Sequence, residues 1–207
     1  MKYFITGIGT DVGKSWATGW LANNFIKAGK TVITQKFIQT GNDGSSEDIE
    51  VHRKIMGIPM TEDDHKMLTA PEIFSYPCSP DLASKIDKRE IDFKKIDEAA
   101  DELERRYDIM LMEGAGGIMV PLKDDYLTID YIEERGLPTV VVTNGQLGSI
   151  NHTLLTLEAI KQRGITLANV IYNHHFDKDK IICEDTIDYL KRYLAKNFPD
   201  AEFSEMS

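Results

Sequence analysis

In the run Gly7-Ile8-Gly9-Thr10-Asp11-Val12-Gly13-Lys14-Ser15, glycines precede an ammonium group and a hydroxyl. Those residue types at that spacing suit a phosphate chain. Backbone N–H groups of a glycine-rich turn converge on phosphate oxygens, and a helix starting behind the turn adds a partial positive charge at the same place. Lys14 is then placed to neutralise β- and γ-phosphates, and the Ser15 hydroxyl to offer Mg2+ a hard oxygen ligand. Five residues separate Gly7 from Gly13, where the common phosphate loop has four. The glycine pattern also overlaps with that of a dinucleotide-binding turn. The next strand candidate, however, finishes in Gln35-Lys36, with no acid to accept a ribose hydroxyl.

Other residues belong to the same chemistry if the chain brings them together. Lys36 at the end of the second strand candidate supplies a second ammonium group, and Thr40-Gly41 just beyond it a hydroxyl and a close backbone approach. Glu47-Asp48 opens a helix, where an acid is either a favourable first-turn charge or a further metal ligand; Asp48 is the candidate ligand. The apolar run Ile109-Met110-Leu111-Met112 gives way to Glu113-Gly114-Ala115-Gly116-Gly117, which puts a carboxylate at a strand tip ahead of a glycine loop able to approach phosphate. Gly145, Gly148 and Ser149 leave N–H groups free near the start of a helix at Ile150-Asn151-His152. Those groups either receive a substrate carboxylate or are capped locally by Ser149 or Asn151. Asn173 carries an amide suited to a purine edge. The adjacent His174 and His175 do not converge on one ion and have no suitably spaced partners, so they are not read as metal ligands.

The elements that must position these groups alternate. Short β-branched and apolar runs at 3–6, 31–35, 107–112, 139–143 and 168–172 read as buried strands, and 14–28, 47–56, 93–106, 150–163 and 181–196 as helices. Such alternation implies right-handed crossovers and a mainly parallel sheet flanked by helices, an α/β fold of the P-loop NTPase type with its ligands at the carboxyl ends of the strands. The proline-rich stretch 57–80 reads as a long surface excursion. With 207 residues, 42% of them hydrophobic, a single domain spanning 1–207 is expected. A net charge of −10 does not support a broad basic footprint for nucleic acid. Cys78 and Cys183 form no ligand-spaced pair and are expected to be packing residues. No apolar run approaches the roughly 20 residues of a membrane helix, so neither a membrane nor a secretory role is expected and a cytoplasmic location is the default.

Taken in order, Thr6-Gly7 through Gly13-Lys14-Ser15, Lys36 with Thr40-Gly41, Cys78-Ser79-Pro80, Glu113-Gly114-Ala115-Gly116-Gly117 and Leu147-Gly148-Ser149-Ile150-Asn151-His152 resemble the dethiobiotin synthetase family of biotin biosynthesis. The resemblance implies a homodimeric, Mg2+- and ATP-dependent cyclo-ligase that joins CO2 to 7,8-diaminopelargonate to give dethiobiotin, ADP and phosphate. It implies an ATP site from Asp11, Val12, Gly13, Lys14, Ser15, Asp48, Glu113, Gly114, Ala115, Gly116 and Asn173, with Ser15, Asp48 and Glu113 holding the metal. Thr10, Lys14 and Lys36 take catalytic roles by the same resemblance. The substrate is bound by Thr10, Lys36, Thr40 and the segment Gly148, Ser149, Ile150 and Asn151, the last across a subunit interface. The chain departs from the family pattern at Ile8, Gly9, Asp11 and Ser15, at Phe37 in place of proline, and at Asp81 in place of histidine. Its segment after Phe198 is shorter than the family's nucleotide-closing tail. Two rivals share the phosphate loop. Cobyrinate-type amidating ligases carry a glutaminase portion absent here, and partitioning or septum-positioning ATPases carry an extra lysine early in the loop that residues 8–12 lack.

Overall fold

A computed structural model describes residues 1–207. Strand β1 (Lys2–Gly7) leads through the glycine turn into α1 (Lys14–Lys27), then β2 (Val32–Lys36), a short β3 (Gln39–Thr40) and α2 (Glu47–Met56). There follow α3 (Glu62–His65), β4 (Ile73–Phe74), α4 (Pro80–Ile86), α5 (Phe93–Arg106), β5 (Ile109–Gly117), the hairpin strands β6 (Pro121–Lys123) and β7 (Tyr126–Leu127), and α6 (Thr128–Glu134). Strand β8 (Thr139–Asn144), α7 (Ser149–Gln162), β9 (Leu167–Asn173), α8 (Lys180–Asn197) and β10 (Glu202–Met206) complete the chain. Six strands form one parallel sheet in the order β10-β9-β8-β1-β5-β2.

Alternation along the strands explains the layering. Successive side chains point to opposite faces. Phe4, Met110, Met112 and Val141 therefore join the larger core beneath α4, α5, α6 and α7, while Ile5, Ile109, Leu111, Val140 and Val142 join the smaller one beneath α1 and α2. Both faces are covered, which is why the strands read as continuous apolar runs. Period two then fixes where the polar groups go: Glu113 follows Ile109 and Leu111 onto the α1/α2 face, and β2 presents Thr34 and Lys36 to the same side.

Three expectations are corrected. Strand β5 does not stop at Met112 but continues through the glycines to Gly117, because Gly117 pairs with Gly7 of β1. Glu113 consequently lies within a strand, at the level where its neighbour β2 ends in Lys36. The stretch 57–80 is no surface excursion. It buries Asp63, Asp64, Thr69, Glu72 and Phe74, pairs β4 with β3, and accepts the Lys36 N–H at the Thr69 carbonyl. Finally, residues 202–206 form a sixth strand beside β9. Its five residues, Glu202-Phe203-Ser204-Glu205-Met206, do not alternate and include three charged or hydroxyl side chains, so they carry no strand signal, and pairing with β9 is what makes them a strand.

Gly114 shows how tightly the sheet is packed. A Cβ there would lie 2.7 Å from Cε1 of Phe4, whose ring is wedged against Phe37 and Tyr131 with centroids 5.6 and 6.4 Å away. Gly114→Ala is therefore expected to cost about 1–3 kcal/mol in denaturant unfolding, an overpacking effect. Gly9→Ala, with open space around the new methyl group, is expected to change stability by under about 0.5 kcal/mol.

Candidate functional site

The glycine turn takes the form expected of an anion cradle. Gly13 precedes α1 with φ +90°, a left-handed conformation that places the following N–H groups at the helix start facing outward. A side chain on Gly13 would also collide with the Asn173 amide, which donates to the Val12 carbonyl at 3.1 Å and so braces the turn from β9. Lys14 begins the helix, is buried, and folds back to donate to the Gly9 carbonyl at 2.9 Å. Burial, and then the Lys36 charge, lower its pKa from the usual lysine value.

Beneath the turn lies a cluster of charges. Registered neighbours Lys36 and Glu113 project from β2 and β5, and Nζ donates to Glu113 Oε1 at 2.8 Å and pairs with Asp48 Oδ2 at 2.6 Å. Asp48 sits in the first turn of α2, two residues after the Ser46 cap whose hydroxyl accepts from the Ile49 N–H. Ser15 Oγ stands 2.5 Å from Asp48 Oδ1 and 3.0 Å from Glu113 Oε1. His52, fully buried one helical turn after Asp48, holds Glu113 Oε2 at 2.6 Å. Burial alone would raise the Glu113 carboxyl, but the Lys36 charge and the His52 hydrogen bond outweigh it and hold the group well below the ordinary carboxylate range. Burial likewise opposes charge on Lys36, and Glu113 and Asp48 overcome it, so its pKa is raised. Both groups are ionised at neutral pH.

The cluster forms the floor of a cavity of about 1030 Å³. Thr10, Asp11, Gly13, Lys14, Ser15 and Lys36 line it, together with Thr40, Asp48, Glu113, Ala115, Gly116 and Asn173. Of the remaining residues singled out from sequence, Val12 and Gly114 lie behind its wall. Gly148, Ser149, Ile150 and Asn151 begin α7 outside it, so a single chain does not bring that segment to the phosphate turn. Of the two acids that open α2, Asp48 lines the cavity and Glu47 is exposed. Both cysteines are packing residues as expected, Cys183 buried and Cys78 partly buried against the larger core, and Cys78 also forms part of the cavity wall with Ser79 and Pro80. Met206 and Ser207 close the far end beside His175 and Phe176, which the sequence reading did not foresee because it had no strand there. The largest omission is the buried set His52, Arg53, Thr34 and Asp64. A signal existed: His52 follows Asp48 by four residues and must share its helix face.

Comparison with known proteins decides the family. A family model described as an AAA domain matches residues 1–196. An ATP-dependent dethiobiotin synthetase BioD 2 of Pasteurella multocida is 47% identical over 204 residues, 99% of this chain and 96% of the relative. The BioD 2 protein of Haemophilus influenzae is 49% identical over 86% of this chain and 94% of its own length. This chain belongs to the dethiobiotin synthetase family. A BioD of Chlorobaculum tepidum is 46% identical over 91% of this chain and 81% of its own. Among solved structures, a plasmid partition protein from Borrelia burgdorferi bound to AMPPNP superposes with TM-score 0.58 at 12% identity, covering 100% of this chain and 86% of that one. MinD in the Aquifex aeolicus MinC:MinD complex superposes with TM-score 0.54 at 17% identity, covering 98% and 78%. At those identities the likeness shows the P-loop NTPase fold, which the synthetase family shares.

Behind the charge cluster, Arg53 makes a two-pronged pair with Asp64, at 2.9 Å from Nε and 2.7 Å from Nη2, and Thr69 and Thr61 add further bonds to the same carboxylate. Burial raises the Asp64 carboxyl, but these bonds outweigh it and lower its pKa from 3.8 to about 2. A depressed carboxylate contributes stability above its unfolded value and loses it as pH falls through the folded one. That difference corresponds to about 2 kcal/mol. Unfolding free energy is therefore expected to decline between about pH 4 and pH 2. Asp64→Asn should be less stable than the wild type at neutral pH, with the gap narrowing across that interval; a constant gap would contradict the assignment.

Proposed function

We propose that this protein carboxylates and cyclises 7,8-diaminopelargonate with CO2 at the expense of ATP, releasing dethiobiotin, ADP and phosphate. The observation that carries the reading is the meeting of Lys14, Ser15, Lys36, Asp48 and Glu113 at the floor of one cavity, in a chain of this family. One substrate amine adds to CO2 and loses a proton, giving a carbamate. A carbamate oxygen attacks the γ-phosphorus, the bond to the bridging oxygen of ADP breaks, and a carbamic-phosphoric anhydride results. The second amine then attacks the carbamate carbon, the carbon–oxygen bond to phosphate breaks, and the amine's proton leaves with the departing phosphate as the ureido ring closes.

The protein contributes positioning and charge rather than covalent chemistry. The α1 N-terminus and Lys14 receive the phosphate chain, Thr10 and Thr40 contact the phosphate and diamine sides, and Lys36 faces the carbamate and the γ-phosphate where charge gathers in the transition state. Ser15 Oγ, Asp48 Oδ1 and Glu113 Oε1 lie within 3.0 Å of one another in the pairs formed through the hydroxyl, a set of hard oxygen donors that fits Mg2+. When bound there, the ion would neutralise phosphate charge. Asn173 lines the same cavity, but its amide is engaged with the Val12 carbonyl and the His175 N–H, so base contacts would come through that braced arrangement.

The segment Gly148 to Asn151 belongs to the proposal through a homodimer. Leu147 and Leu155 beside it are 85% and 62% exposed, apolar surface that a second copy would cover while lending its α7 N-terminus to the substrate carboxylate. A cytoplasmic setting supplied with ATP completes the reading, and no helix is long and apolar enough to cross a membrane.

Purified protein is expected to incorporate label from bicarbonate into an acid-stable product only when diaminopelargonate, Mg2+ and ATP are all present. A complete mixture yielding no such product would refute the activity. Lys36→Ala is expected to lower kcat about 100-fold while the KM for ATP changes by less than about threefold, because the charge is needed chiefly in the transition state. An equal loss in both would place Lys36 in ground-state binding instead.

A further inference from the structure

The side chain that touches Glu113 from behind, His52, is neither at the cavity surface nor needed to fill space with apolar atoms. Both its ring nitrogens are engaged in a fully buried site: Nε2 with Glu113 Oε2 at 2.6 Å and Nδ1 with Thr34 Oγ1 at 3.0 Å. Thr34 Oγ1 also receives Arg53 Nη1 at 2.7 Å. Arginine has no acceptor and can only donate, and Arg53 is fixed in place by Asp64. Thr34 Oγ1 thus joins Arg53 to one ring nitrogen of His52, and the other ring nitrogen faces Glu113 Oε2, a carboxylate oxygen that can only accept.

We propose that His52 is a positioning residue which, held by Thr34 and through it by Arg53, ties down Glu113 Oε2 so that Oε1 alone faces Ser15, Lys36 and the cavity. Glu113 is thereby a one-oxygen ligand with a fixed direction. Register makes the arrangement possible: Thr34 and Lys36 share a face of β2, Lys36 pairs with Glu113 across to β5, and Asp48 and His52 descend onto both from one face of α2. The inference rests on the reading of Ser15, Asp48 and Glu113 as the ligands of the divalent ion.

Calorimetric titration of the full chain with ADP, with and without Mg2+, separates the two ideas without using turnover. His52→Leu is expected to weaken binding of ADP about tenfold in the presence of Mg2+ and by less than about twofold in its absence, and His52→Gln, which restores an N–H donor, to recover to within about threefold of wild type. If wild type itself binds ADP equally well with and without Mg2+, the ligand reading fails and takes this proposal with it. If wild type depends on Mg2+ and His52→Leu matches it, or if Leu and Gln variants lose equally with and without the ion, the positioning role alone is overturned. Should the leucine variant fail to fold, imidazole nitrogen resonances of wild type decide the matter. An Nε2–H hydrogen-bonded to the carboxylate supports the positioning role, and an Nε2 without a proton, which could donate nothing to Glu113, overturns it.

Discussion

A carboxylate only 1% exposed is tolerable when both of its oxygens face donors, and the architecture around Glu113 is arranged to that end. One oxygen meets Lys36 and Ser15, the other His52. Two ammonium groups, Lys14 and Lys36, stand against two carboxylates, Asp48 and Glu113, so the cluster is close to neutral while each of its members is charged. Such a balance explains how a site can stay folded without its ligands and still present cations to a polyanion.

The cost of burying these groups is met by geometry spread over several elements. Period two on β2 and β5 delivers Thr34, Lys36 and Glu113 to one face, and one helical turn of α2 delivers Asp48 and His52 to the same place. Arg53, on the next position of that helix, reaches Thr34 and Asp64, and Asp64 is secured by the capping box of α3 and by Thr69. The stretch 57–80 thus supports the site from behind. Its irregular sequence reflects the need to satisfy buried backbone and carboxylate groups, not freedom at the surface.

The likeness in fold to a plasmid partition protein and to a cell division protein complex illustrates the separation of fold from activity. A parallel sheet with a glycine turn at the end of its first strand is enough to offer a phosphate site. The side chains around the cavity come from the other strands: Lys36 at the end of β2, Glu113 within β5, Asn173 at the end of β9, and Met206 of the tail strand β10.

The sequence by itself determined the phosphate turn, the alternation of strand and helix, the candidates Lys36 and Glu113, and the family, because each is written locally, in spacing, in periodicity or in short ordered motifs. Tertiary structure alone decided which of Glu47 and Asp48 turns inward, that Glu113 lies within a strand, that Cys78 faces the cavity and that residues 202–206 pair with β9. It also decided that His52, Arg53, Thr34 and Asp64 form one chain of donors and acceptors. The reason is physical: a hydrogen bond between residues 18 or 61 positions apart leaves no local pattern in composition. It exists only once register and helix packing have brought the partners within 3 Å and closed off the water that would otherwise satisfy them.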